Sequence, residues 1–132
     1  MGTVEAEILS WVGTPWRPRG QDRSGVDCAG LVEAYRASVG LPIPDPVTYY
    51  SIPCDLGRVR LSLARVARPV LWPRPGDVVV MRFGRTGHLG LACGRLVVHA
   101  CRSAGMVVVD PWESIQGGGR VDCVYRIGGP NG

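Results

Sequence analysis

The hydrophobic pattern of this chain changes period at Arg74-Pro75-Gly76-Asp77, and that switch constrains the fold more than any other feature. Before it, apolar residues fall at helical spacing: Val4, Ile8, Trp11 and Val12 in one segment, Leu31, Val32, Tyr35 and Val39 in a second. After it, Val78-Val79-Val80-Met81-Arg82-Phe83 is a β-branched run that reads as a strand. His88–Cys93 and Leu96–Cys101 read as two more, joined through Gly94-Arg95, a glycine-first two-residue hairpin turn. Met106–Val109 and Val121–Ile127 follow, with Gly117-Gly118-Gly119 as the loop between them. Helices first and strands afterwards predict an α+β domain, with N-terminal helices packed on an antiparallel sheet of about four to five strands.

The helices have readable ends. Gly13-Thr14-Pro15 stops the first, and the polar stretch Trp16–Gly25 reads as a loop. The second starts near Asp27 or Cys28, and Gly40 is placed to end it. Pro42, Pro44, Pro46 and Pro53 exclude regular structure from the next stretch, and Leu56–Val66 reads as a short third helix. No repeat or break in composition divides the 132 residues, so 1–132 is read as one domain, long enough to bury a core without disulfides.

Five cysteines at irregular spacing, with no C-x-x-C pair, argue against a disulfide framework and against a structural zinc site. The formal charge is +4, and all fifteen basic residues are arginines scattered from Arg17 to Arg126, so no nucleic-acid partner is expected. No apolar run nears the ~18 residues of a membrane span. Met1–Glu7 lacks a basic-then-apolar export signal, so the expectation is a chain made in the cytoplasm without membrane insertion.

One constellation carries chemistry. In Gly25-Val26-Asp27-Cys28-Ala29-Gly30-Leu31-Val32, Cys28 stands where the second helix begins. Unpaired backbone N–H groups and the positive dipole end favour a thiolate there, and the same N–H groups suit an oxyanion. The only two histidines, His88 and His99, both lie in the predicted hairpin. With a two-residue turn, His88 comes opposite Cys101 and Gly90 opposite His99, so both rings leave one face on a diagonal. One can take a thiol proton while the other orients it. An odd-length turn would separate them. A packing cysteine with structural histidines stays open at this point, as does a zinc site from Cys93, His99, Cys101 and His88.

These blocks recur in order along almost the whole chain: Trp11-Val12-Gly13-Thr14-Pro15-Trp16, Gly25-x-Asp27-Cys28-Ala29-Gly30-Leu31-Val32, Arg74-Pro75-Gly76-Asp77-Val78-Val79, Gly87-His88-Leu89-Gly90-Leu91 and Val98-His99-Ala100. Together they resemble the NlpC family of papain-like cell-wall cysteine peptidases, and within it the short phage-tail and gene-transfer-agent members. Val107-Val108-Val109-Asp110 followed by Trp112 fits that subgroup. The resemblance implies a papain-like fold and hydrolysis of peptidoglycan stem peptides, commonly between D-glutamate and diaminopimelate. It implies Cys28 as nucleophile, His88 as base, His99 as the residue orienting the base, and Asp27 as a holder of the substrate's free amine.

No metal or cofactor is implied. Ala29 and Trp16 stand where many members have serine and tyrosine, which alters contacts to substrate. An indole N–H donates a hydrogen bond but accepts none. Arg23, with Arg17 and Arg19, precedes Cys28 and would suit stem-peptide carboxylates. The implied setting is a phage-like tail with tip or hub proteins as partners, acting at the bacterial wall. A tail-tip docking protein with the same fold and little activity is the alternative, and an acyltransferase or amidase a narrower one.

Overall fold

A computed structural model describes residues 3–41 and 55–128; the expected proline-rich loop Pro42–Pro53 lies outside them. Along the chain run α1 (Thr3–Leu9), the short strands β1 (Gln21–Asp22) and β2 (Gly25–Val26), α2 (Cys28–Ser38) and α3 (Leu56–Ala64). There follow β3 (Ala67–Val70), β4 (Val78–Phe83), β5 (Thr86–Cys93), β6 (Leu96–Cys101), β7 (Met106–Pro111), α4 (Trp112–Gly117) and β8 (Val121–Ile127). β1 and β2 pair with each other, and the main sheet has six antiparallel strands in the order β3-β8-β4-β5-β6-β7.

The α+β layout agrees with the sequence, but the sheet is one strand larger than four to five. The added strand is β3, whose Pro69 pairs opposite Tyr125. Proline cannot donate to a ladder, and β3 tolerates it because it lies at the sheet edge. Sequence reasoning also passed over α4, whose six residues are too few to show a helical period. It buries Ile115 with Val79, Met81, Ala92, Val97 and Val124 on one side of the sheet. The larger core lies on the other side, where Leu31, Val32 and Tyr35 of α2 meet Val78, Val80, Leu89, Leu91 and Val98.

Two other expectations change. The first helix stops at Leu9, and Trp11 N–H and Val12 N–H bond to Ile8 and Leu9 carbonyls three residues back. That tightening puts Trp11 on the buried side with Ile8 three residues before it and leaves Val12 42% exposed; Val4 is 42% exposed as well. The polar stretch after it is ordered rather than a free loop. Arg17 N–H bonds to Val26 O at 3.0 Å, Val26 N–H to Pro15 O at 2.9 Å, and Asp22 accepts from Ser24 N–H at 2.9 Å.

The Pro-Gly-Asp block proves to be a clamp. Asp77 is 5% exposed and accepts from Arg74 N–H at 2.7 Å and from Arg126 Nε and Nη2 at 3.0 and 2.8 Å. Arg126 also reaches Trp72 O at 3.2 Å, tying β8 to the entry of β4. Asp77→Ala removes the shared acceptor of Arg74 N–H and Arg126, and a lower midpoint in urea denaturation is expected. Glu113→Ala breaks only the exposed pair with Arg95 and is expected to leave the midpoint unchanged.

Candidate active site

Cys28 is the first residue of α2, and Asp27 is its N-cap. Asp27 Oδ1 accepts from Gly30 N–H at 2.7 Å and Oδ2 from Arg19 N–H at 2.8 Å. Arg19 has φ +58°, an unusual conformation for a residue with a side chain, and the Asp27 carboxylate holds it there. Burial pushes the Asp27 carboxyl up, and the backbone donors of Gly30 and Arg19 pull it partly back. Cys28 is 8% exposed and Ala29 1%, both within the α2 core.

The β5–β6 hairpin has the two-residue turn expected, with Cys93 opposite Leu96 and Leu91 opposite Val98. Leu89 and Leu91 join the core under α2. His88 and Gly90 alternate with them, and Gly90 faces Met81, Val97 and His99. A side chain at Gly90 would come within 3.2 Å of the His99 Cβ, so the glycine makes room for the second imidazole. His88 Nε2 lies 2.9 Å from His99 Nδ1, with the rings nearly perpendicular. Burial and the neighbouring His99 lower the His88 pKa from its usual 6.5 to about 4, so the ring is neutral at pH 7.

A third member was missed from sequence. Asp110 Oδ2 lies 2.7 Å from His99 Nε2. Asp110 pairs opposite Val97, so it stands diagonal to His99 on the same face of the sheet. Its signal was the register of the β6–β7 turn, and four residues between Cys101 and Met106 do not declare a register in advance.

A cavity of about 730 Å³ opens beside the imidazoles, lined by Phe83, Thr86, His88, His99, Cys101, Arg102 and Ser103. The segment 13–16 runs along the outer edge of β7, with Trp16 N–H on Gly105 O at 2.8 Å. Trp16 is half-buried there, and the Arg102 guanidinium is 5.3 Å from its ring. The arginine lining this cavity is therefore Arg102, which sequence reasoning had not singled out. Arg23 points elsewhere: it donates to Ser10 O at 2.9 Å and Glu7 Oε2 at 3.2 Å, and lies 3.6 Å over the Trp11 ring. Arg17 bonds Ser24 Oγ at 3.0 Å.

Cys93 packs in the α2 core, and strand alternation turns its side chain away from that of His88. Among the described residues no three His, Cys, Asp or Glu side chains converge as a metal site, and Cys93, Cys101 and Cys123 form no disulfide.

The model of the NlpC/P60 family matches residues 13–115. The chain belongs to the NlpC/P60 family. It is similar to the murein DD-endopeptidase MepS/murein LD-carboxypeptidase of Escherichia coli strain K12, 35% identical over 105 residues. The match covers 77% of this chain and 50% of that protein, so the chain spans about half the length of the curated relatives it matches.

Solved NlpC/P60 domains share the fold. The domain of the peptidoglycan hydrolase SagA superposes with TM-score 0.65 at 23% identity, covering 94% of this chain and 96% of that one. RipD of Mycobacterium tuberculosis, described as a non-catalytic NlpC/p60 domain protein adapted to peptidoglycan binding, superposes with TM-score 0.64 at 22% identity, covering 93% of each chain. This NlpC/P60 chain is thus a papain-like α+β domain with a murein endopeptidase homologue.

Proposed function

We propose that this chain is a cysteine endopeptidase of peptidoglycan stem peptides, with Cys28 as nucleophile and His88 as its base. The observation that carries the reading is the hydrogen-bonded series His88–His99–Asp110, in a chain whose Cys28 opens a helix. A buried neutral imidazole is a ready proton acceptor, and a helix start favours the thiolate. Cys28 would attack the scissile carbonyl to give a thioester, with the N–H groups of the first helical turn receiving the oxyanion. The His88 imidazolium would protonate the leaving amine, and water would then hydrolyse the thioester. Asp27 keeps acceptor capacity beyond its two backbone donors, which suits a substrate ammonium. Trp16 and Arg102 would flank the peptide.

The proposal extends to the D-glutamyl–diaminopimelate bond and to a phage-like tail that opens the wall during entry. The motif resemblance supports both. Peptidoglycan digested with the wild type is expected to release muropeptides whose masses name the bond. Cys28→Ala is expected to release none, and Cys101→Ala, altered within the histidine cavity, to cleave normally. Cleavage kept by Cys28→Ala and lost by Cys101→Ala would overturn the choice of nucleophile. Detection of the chain in purified particles by mass spectrometry tests the tail setting.

A further inference from the structure

We infer that Asp110 is a positioning residue that sets the tautomers of both histidines, leaving the Nδ1 lone pair of His88 as the proton acceptor of the site. An ionised carboxylate only accepts hydrogen bonds. The 2.7 Å contact therefore requires the proton on His99 Nε2. In neutral His99 the other nitrogen, Nδ1, is then a bare lone pair. The 2.9 Å contact between His99 Nδ1 and His88 Nε2 consequently takes its proton from His88 Nε2. His88 has one proton while neutral, so its Nδ1 is bare. Each assignment follows from the one before, and the series is anchored by the one group that cannot donate.

Local geometry supports an anchor of this kind. His99 is 8% exposed and sits between its two partners, whereas the Asp110 side chain is 47% exposed, so the carboxylate meets solvent while the rings are sheltered. Burial of His88 beside His99 keeps it neutral at pH 7, the state in which a lone pair exists. Without Asp110, His99 is free to carry its proton on Nδ1 and accept none from His88. The His88 proton then has no reason to stay on Nε2, and a ring protonated on Nδ1 offers no base there.

During reaction the thiol proton passes to His88 Nδ1, and the resulting imidazolium still donates from Nε2 to His99. The same proton later leaves Nδ1 for the departing amine. His99 and Asp110 exchange no proton in this cycle. The kinetic consequence rests on the proposed cysteine-peptidase reading; the tautomers do not.

The chain has two histidines, so its imidazole nitrogens are four. Nitrogen-15 NMR of the wild type at pH 7, assigned with His88→Gln and His99→Gln, is expected to show the proton on Nε2 and a bare Nδ1 in each ring. A proton on Nδ1 of either ring would overturn the inference whether or not the protein is a peptidase. In Asp110→Ala the His88 tautomers are expected to mix and kcat to fall about 10- to 100-fold with KM little changed. That is less than the ~10⁴-fold of a triad carboxylate bonded directly to its base, since one ring intervenes here. Asp110→Glu is expected to restore the tautomer and part of kcat. An Asp110→Ala protein with the wild-type tautomers and kcat would refute the positioning role.

Discussion

Replacing His88 with glutamine is expected to lower peptidase turnover by roughly 10²- to 10⁴-fold, the range of a positioned general base. The same change is expected to make the fold less sensitive to acid. Glutamine can still donate to His99 Nδ1, so the loss falls on proton transfer more than on packing. The His88 pKa is about 4 in the folded chain, against 6.5 for an ordinary imidazole. Between those values the unfolded chain binds a proton that the folded chain refuses. Wild-type stability is therefore fully present above pH 6.5 and falls as the pH drops toward 4, by a total of about 3 kcal/mol.

Glutamine does not titrate, and the variant should lack that part of the slope. Thermal melts of both proteins from pH 7 to pH 4 measure the difference, and parallel curves would show that the imidazole is not desolvated. The acid limb of kcat/KM should likewise lie near the folded value, well below pH 6.5.

Gly30→Ala is expected to unfold the protein at a melting temperature lower by roughly 10 °C or more. Helix propensity alone predicts the opposite, since alanine is better than glycine inside a helix by about 1 kcal/mol. The sign is reversed by a close approach of two backbones. A Cβ on Gly30 would stand 1.8 Å from the Gly20 carbonyl oxygen and 2.9 Å from Asp27 Oδ1. Gly20 cannot swing away, because its N–H is bonded to Arg17 O at 3.0 Å and its own pro-Cβ direction faces Gly25 O.

The 17–25 segment must then lift from the helix and lose the Arg19 N–H bond to Asp27. An overpacked site and a damaged N-cap together cost about 3 kcal/mol or more. Activity should fall with stability, since Asp27 and Cys28 are neighbours on that turn. A melting temperature equal to or above wild type would mean that the segment yields without strain.

The sequence by itself determined the order of layers, the start of α2, the β5–β6 hairpin and its pair of histidines. Each is a local property. Helical and strand periods show within a dozen residues, Asp27 can cap only the helix it precedes, and Gly94-Arg95 sets the register of the strands on either side. Family membership was legible for the same reason, because the blocks around Cys28, His88 and His99 are short contiguous runs.

Only the tertiary structure decided what depends on residues far apart in the chain. It brought Asp110 to His99 through the β6–β7 register, turned Arg23 onto Trp11 and Glu7, and placed Arg102 at the cavity. It also made Asp77 a clamp on Arg126 and gave Pro69 a sheet edge to occupy. A carboxylate or guanidinium on a loop has many partners within reach of its chain, and which one it meets is chosen by how the strands and helices pack.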